Sequence, residues 1–339
     1  MRTATTYHLL TFLAVTAVSV RYASAQVLPS FGGDRSGTSG FQFLKIPVDP
    51  RGSALGHNGV ATAVDATALF WNPALAAQTN GVSAAVNHAS YFSDVRLEYL
   101  AIVYPISRPA LTIGVSVQTL NSGDMDVTTE FEPFGTGESF RFVDLAAGLT
   151  VSQALTDLFS YGVTAKYVHE SSAGVSTKAV LFDIGVFYRI GASRAQMAVA
   201  IRNFGTDVDP TGDITRVVVG SPAEVVEDDF EPITPPTSFL LGVAYSIWPE
   251  GGTNDLRLSA QLNNPADNAE NWNVGAEYIW NQTLILRAGY RIGIEENTLP
   301  SVGMGLQFAQ FGPQLRFDYG FDRLERLGTV HRIGLSVTR

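Results

Sequence analysis

A two-residue period constrains this chain more than any other feature. From about residue 81 onward, segments of about ten residues alternate apolar and polar side chains and are parted by turn-forming residues. In NWNVGAEYIW, Trp272, Val274, Ala276, Tyr278 and Trp280 share one face, and Asn273, Gly275 and Glu277 share the other. In LILRAGYR, Leu284, Leu286, Ala288 and Tyr290 oppose Arg287, Gly289 and Arg291. The same split sets Val180, Phe182, Ile184, Val186 and Tyr188 against Asp183, Gly185 and Arg189, and Leu315, Phe317 and Tyr319 against Arg316 and Asp318. Successive side chains of a strand point to opposite faces, so each segment reads as a strand with one apolar face.

The spacing predicts about fourteen strands, near 82–91, 96–105, 109–120, 139–151, 159–170, 178–190, 195–204, 237–248, 254–263, 271–280, 283–291, 300–309, 312–321 and 328–338. With both ends on one side, the connections on that side are ISR, SQALTDL, GASR, PEGGTN, NQ and QF, all short. The other side carries two long loops, about 121–138 and 205–236. An even strand count with short turns on one rim and long loops on the other predicts a transmembrane antiparallel β-barrel of the outer-membrane kind. A soluble β-sandwich also alternates. Against it, Trp272 and Trp280 stand eight residues apart on the apolar face. At about 3.3 Å per residue and a tilt near 40° that is ~20 Å of height, close to the ~25 Å between aromatic girdles. The polar face, rich in glycine and ionic residues, suits a wet or partly filled lumen.

Composition narrows the partners. The chain is 45% apolar and 16% charged, against roughly 25% charged in soluble domains. A net charge of −10 argues against nucleic acid, whose binders carry basic patches. With no cysteine, disulfides and thiolate metal sites are excluded.

The N-terminus precedes the alternating region with three units. Arg2, the apolar run LLTFLAVTAVSV and Ala23-Ser24-Ala25 spell a secretory signal peptide over 1–25, cleaved near Ala25. No later run approaches the roughly 18 apolar residues of a spanning helix. Residues 26–40 are Gly/Ser-rich and read as a flexible segment. Residues 41–80 are small and apolar without alternation and read as a plug segment, inside the lumen or packed beneath the barrel mouth, leaving 81–339 for the barrel. Within the plug, ATALFWNPALAA is interrupted by Trp71-Asn72-Pro73. Asp65 is placed to cap a first short helix, which ends by Asn72 because the residue before proline is pushed out of helical geometry. Asn72 then caps a second helix with Pro73 at its first position. The expectation is a plug or gate of Asp65, Trp71, Asn72 and Pro73, with Trp71 wedged toward the barrel wall. An ordinary helical kink in a small core is the plainer reading.

FLKIPVDPRGSALGHNGVATAVDATALFWNPALAA resembles the N-terminal signature of the PorV/PorQ family of outer-membrane proteins, through Phe43-Leu44-Lys45-Ile46, Arg51, Ala54-Leu55-Gly56, Gly59, Ala63 and Trp71-Asn72-Pro73-Ala74. GAEYIW, LRAGYR, GMGLQF, DYGF and LGTVHRIGLSV resemble its C-terminal half, so the likeness covers essentially the whole mature chain. One departure is the ending Val337-Thr338-Arg339, where outer-membrane barrels often close on an aromatic residue. The resemblance implies a FadL-like barrel in the outer membrane of a Gram-negative bacterium, in contact with its lipid. It further implies a role in the type IX secretion system: binding the C-terminal signal domains of cargo and passing them from the translocon to the surface attachment machinery.

The residues themselves suggest no chemistry. His57, His88, His169 and His331 lack an evident serine or carboxylate partner; Ser336 falls on the face opposite His331, and the pair His88 and Ser90 reads as interfacial packing. The oxygen-rich runs ADNAEN and EVVEDDFE lack calcium-loop spacing. No catalytic residue, cofactor or metal is therefore expected. Glu277, Arg287, Arg291, Arg316, Asp318 and Arg332 would point inward and, since unpaired burial is costly, pair with one another or with the plug; a substrate or ion path is the alternative. The loops offer Phe131 and Phe134, and Glu227, Asp228, Asp229 and Phe230, as partner-binding residues. In the second loop Arg216 alone offsets Asp207, Asp209, Asp213, Glu224, Glu227, Asp228, Asp229 and Glu231, which favours a basic partner surface. The alternative function is a FadL-like channel for hydrophobic small molecules gated by the N-terminal segment; a lipid-processing enzyme is a third.

Overall fold

The computed structural model describes residues 37–339 except 108–109, 192, 213, 217–223, 227–229, 249–251, 295–298 and 309–311. The expected signal peptide, and the flexible segment up to residue 36, lie outside the described residues.

Fourteen strands form the wall: β1 Ser83–Ser90, β2 Arg96–Ile106, β3 Leu111–Asp126, β4 Ser139–Ala154, β5 Phe159–Ser172, β6 Val175–Arg189, β7 Ala195–Phe204, β8 Ser238–Ser246, β9 Asp255–Pro265, β10 Asn271–Trp280, β11 Leu284–Ile292, β12 Ser301–Phe308, β13 Gln314–Leu324 and β14 Gly328–Thr338. Each pairs antiparallel with the strand before and after it, and β14 pairs with β1, Ser83 opposite Thr338. The ring is closed, which removes the edges that hydrocarbon does not tolerate. Two-residue alternation is visible as burial: on β2, Leu97, Tyr99, Ala101 and Val103 face in, while Leu100, Ile102 and Tyr104 face out. No described helix is long and apolar enough to cross a membrane.

Several boundaries differ from the sequence expectation, the largest at the rim opposite the chain ends, while at the near rim β4 runs on to Ala154. β3 extends beyond 120 and keeps pairing with β4 past a bulge between Asn121 and Asp124, so the loop is 127–138 rather than 121–138. Side chains replace ladder bonds across the bulge: Asn121 Oδ1 accepts from the Gly123 N–H, and Ser122 Oγ from the Phe142 N–H. β6 begins at Val175 because Ala173-Gly174, with φ of 47° and 90°, closes a two-residue hairpin. The second long loop is not structureless. Thr211–Gly212 pairs with the start of β6, Ile214–Arg216 pairs with Glu224–Val226, and Val208 bridges Ile233.

Before β1, the chain crosses the lumen from the loop rim to the rim of the chain ends. Ser39 bridges Thr234 at the loop rim, and Gly81 lies against Arg339 at the other. Between them come a 3-10 turn Gln42–Lys45, helix α1 Pro50–Ala54, helix α2 Ala68–Trp71 and a 3-10 helix Pro73–Gln78. Inward-facing glycines of the wall receive this segment. A Cβ on Gly289 would lie 2.0 Å from the Leu55 carbonyl carbon, one on Gly162 2.6 Å from that of Pro73, and one on Gly320 2.7 Å from the Pro50 oxygen. Only a residue without a side chain allows wall and segment backbones to touch in this way.

Candidate functional site: the occupied lumen

The N-terminal segment carries its own polar supports. Asp49 caps α1, accepting from the Gly52 N–H at 2.7 Å, and its other oxygen accepts from Trp71 Nε1 at 2.6 Å. Asp65 accepts from the Thr67 N–H and hydroxyl, so it caps the turn leading into α2, which starts slightly later than the expected helix. Asn72 ends α2 in extended geometry; its Oδ1 accepts from Ala74 N–H at 2.9 Å with Pro73 next, and its Nδ2 donates to the carbonyls of Val60 and Val186. The restart it caps is 3-10 rather than α-helical.

Trp71 lies in one buried cluster with wall side chains such as Leu97, Phe187 and Leu240. Its ring lies against Gly52 and Gly59 and meets Phe70 edge-on, so the segment itself holds it; the close contacts with strand glycines are made by Asn72 and Pro73 against Gly162 and Gly185. Two glycines leave a slot in which the indole packs, and its N–H turns to Asp49 rather than to the wall.

The inward ionic residues fall into two groups. Four join one alternating chain that begins and ends on the N-terminal segment. Arg51 meets Glu277 through two hydrogen bonds of 2.8 Å; Arg287 bridges Glu277 and Asp318 at 2.7 Å each; Arg316 donates to Asp318 at 2.7 Å and to Asp65. All six side chains are buried, and alternating signs let each charge be compensated without water. Arg332 stands apart. It bonds Asp322, Ser53, the Tyr91 hydroxyl and the Pro47 carbonyl, fastening the other side of the segment. Arg291 is buried and lines the loop-rim cavity with His57.

Sequence reasoning missed Arg51, Asp322, Tyr91 and the pair Lys45–Asp267, whose bonds are 2.8 and 2.9 Å. Asp322 was within reach, because it shares the inward face of Arg316 and Asp318 on β13. Burial alone would raise the Asp267 carboxyl, but hydrogen bonds from Lys45 and Gln42 hold it below the usual aspartate value.

Two cavities flank the segment. The one toward the loop rim holds about 740 Å³, bordered by Lys45, His57, Tyr91, Asn271 and Arg332. The one toward the chain ends holds about 610 Å³, bordered by Asp65, Gln196, Arg257, Gln307 and Arg316. No residue lines both. Ser53 and His57 both turn to Asp322 rather than to each other, an arrangement of support rather than of nucleophile and base. Among the described residues no group of three or more His, Asp or Glu is placed to hold a metal ion. In the loops, Phe131 and Phe134 are 76% and 98% exposed, and Phe230 is half-buried; Glu227, Asp228 and Asp229 lie outside the described residues.

A closed antiparallel wall with apolar side chains outward and ionic ones inward defines an outer-membrane β-barrel. The family model described as type IX secretion system protein PorV matches residues 32–193, just under half of the chain. Among solved structures, the Pseudomonas putida toluene transporter TodX is similar with TM-score 0.57 and 13% identity, covering 85% of this chain and 96% of that one. The Ralstonia pickettii toluene transporter TbuX gives 0.56 and 13%, covering 87% and 98%. The monoaromatic hydrocarbon channel CymD gives 0.55 and 14%, covering 86% and 97%. At such identities the likeness concerns the fold. No curated protein matches the sequence.

Proposed function

We propose that this barrel is a non-enzymatic component of the type IX secretion system, binding the C-terminal signal domains of cargo at the outer membrane and passing them from translocon to attachment machinery. The observation that carries the reading is the PorV family match, which spans the N-terminal segment and the wall through β6. In this reading residues 41–80 are a plug. The Arg51-to-Asp65 ionic chain and the Arg332 group fix it to β10, β11, β13 and β14, and the rim bearing residues 127–138 and 205–237 faces out of the cell. The partner surface is the acidic loop pair, with Phe131 and Phe134 as apolar contacts and a basic face on the partner.

Deletion of residues 210–232 tests it. β7 and β8 pair directly, outside the deletion, so the wall retains its closure. Cargo display at the cell surface should be lost while the barrel stays inserted; unchanged display would refute the assignment. The cavities on either side of the segment favour a second reading, a channel for hydrophobic small molecules gated by that segment. A fatty acid or aromatic hydrocarbon copurifying in the loop-rim cavity would support it.

A further inference from the structure

The lipid-facing wall is uneven. On β6 the outward residues Val180, Phe182, Ile184, Val186 and Tyr188 are all apolar or aromatic and exposed. Val180 and Tyr188 stand eight residues apart, ~20 Å of height at about 3.3 Å per residue and a tilt near 40°. On β2 the outward apolar run is Leu100, Ile102, Tyr104 and Ile106, and on β1 it is Ala84 and Val86, preceded by Val82. Past them, toward the loop rim, the outward face turns polar across four adjacent strands: Arg96 and Glu98 on β2, His88 and Ser90 on β1, Thr329 and His331 on β14, Arg323 on β13.

The registers place these side chains in one patch. Arg96 is opposite Ser90, Ser90 opposite His331, and Thr329 opposite Arg323. His331 is held by the Tyr319 hydroxyl at 2.7 Å, and Glu98 is taken by His88 at 2.7 Å. Arg96 and Arg323 are exposed, and neither is ion-paired among the described residues. Three strand steps separate them, ~14 Å at about 4.8 Å per step. Two uncommitted guanidiniums stand there beside apolar and aromatic side chains and one carboxylate, Glu98, which His88 engages.

We infer that this patch binds the phosphate-bearing headgroups of the outer leaflet's lipid, with Arg96 and Arg323 as the phosphate ligands and Tyr319 and Phe321 against the lipid below. A guanidinium fork matches a phosphate's oxygens, and the border of the apolar band is where headgroups lie. A docked protein is the competing occupant. The inference rests on the outward orientation of the loop rim adopted above, but its test is independent of cargo transport.

The full chain is placed in phosphatidylcholine nanodiscs containing a minor fraction of diphosphorylated lipid A or of the same lipid without phosphates, and retained lipid is counted by native mass spectrometry. Preferential retention of the phosphorylated form is expected. Arg96→Gln with Arg323→Gln should lower that retention roughly tenfold, the worth of one or two charge-assisted contacts; Lys178→Gln, on a distant strand, should not. Equal retention of both lipids by the unaltered chain overturns the inference without recourse to a variant. So does unchanged retention by a double variant whose folded barrel migrates normally on a gel, or a photo-crosslinker at position 96 that captures protein rather than lipid in native membranes.

Discussion

Replacing Gly289 by alanine should push the N-terminal segment off the wall while leaving the wall intact. The new Cβ would lie 2.0 Å from the carbonyl carbon of Leu55 and 2.1 Å from the nitrogen of Gly56. Ordinary carbon contacts begin near ~3.5 Å, so the two backbones would have to part by over an ångström. Both offending atoms are main chain in a turn whose Gly56 has φ of 74°, so a rotamer change offers no relief. Overpacking of a well-filled interior costs about 1–3 kcal/mol, and a backbone collision belongs at the top of that range. The strand itself loses nothing, since Gly289 pairs with Gly275 and Ser301 in regular register. Hydrogen exchange of residues 50–60 in the intact barrel reads the displacement, and single-channel conductance in a planar bilayer reads any opening that follows. Exchange should quicken at least tenfold and conductance should rise, with Val302→Ala, on the outward face of β12, as the silent control. Unchanged exchange in a folded Gly289→Ala barrel would refute the argument that inward glycines seat the segment.

Arg51→Met should cost about 3 kcal/mol of segment stability, the lower end for breaking a buried pair, because Glu277 keeps Arg287; adding Glu277→Gln should recover part of that loss, since it removes the uncompensated carboxylate while Arg287 keeps Asp318. Native-state hydrogen exchange of residues 49–65 measures both. Trp71→Phe leaves an Asp49 oxygen buried without its donor, at about 1–3 kcal/mol, and should loosen α1 before α2 in the same experiment. Asp267 has a folded-state pKa below its ordinary value. Its bonds to Lys45 and Gln42 therefore contribute fully above the ordinary aspartate pKa of about 3.9, and are lost as pH falls through the lower folded value. Exchange of residues 39–45 should be insensitive to pH between neutrality and ~5 beyond the chemical trend, whereas Asp267→Asn should accelerate it at neutral pH.

Strand number and facing were legible because a wall between lipid and an ionic lumen demands strict alternation, as Trp272 to Trp280 and Leu284 to Tyr290 display. Where the wall leaves the lipid that demand ends. The extension of β3 past Asn121 depends on side-chain oxygens standing in for ladder bonds, which periodicity does not register. The Asn72-Pro73 restart was legible as well, since its capping is local in sequence. The partners of the inward charges were not, because Arg51 finds Glu277 only once the path of the segment is set against the register of β10. The slot that receives the Trp71 indole was not legible for a related reason: its two glycines, Gly52 and Gly59, lie twelve or more residues away along the chain.

The path of the N-terminal segment also fixes an order of events in assembly. It runs from Ser39 at the loop rim to Gly81 beside Arg339, inside a ring whose last strand pairs with its first. It is made before any strand, yet its ionic partners Glu277, Arg287, Asp318 and Arg332 lie on four of the last five strands. A finished hoop cannot be threaded afterwards by a segment that its own side chains fill from rim to rim. The sheet must instead curl around a cord already laid across its concave face, and the pairing of Ser83 with Thr338 is the knot tied last.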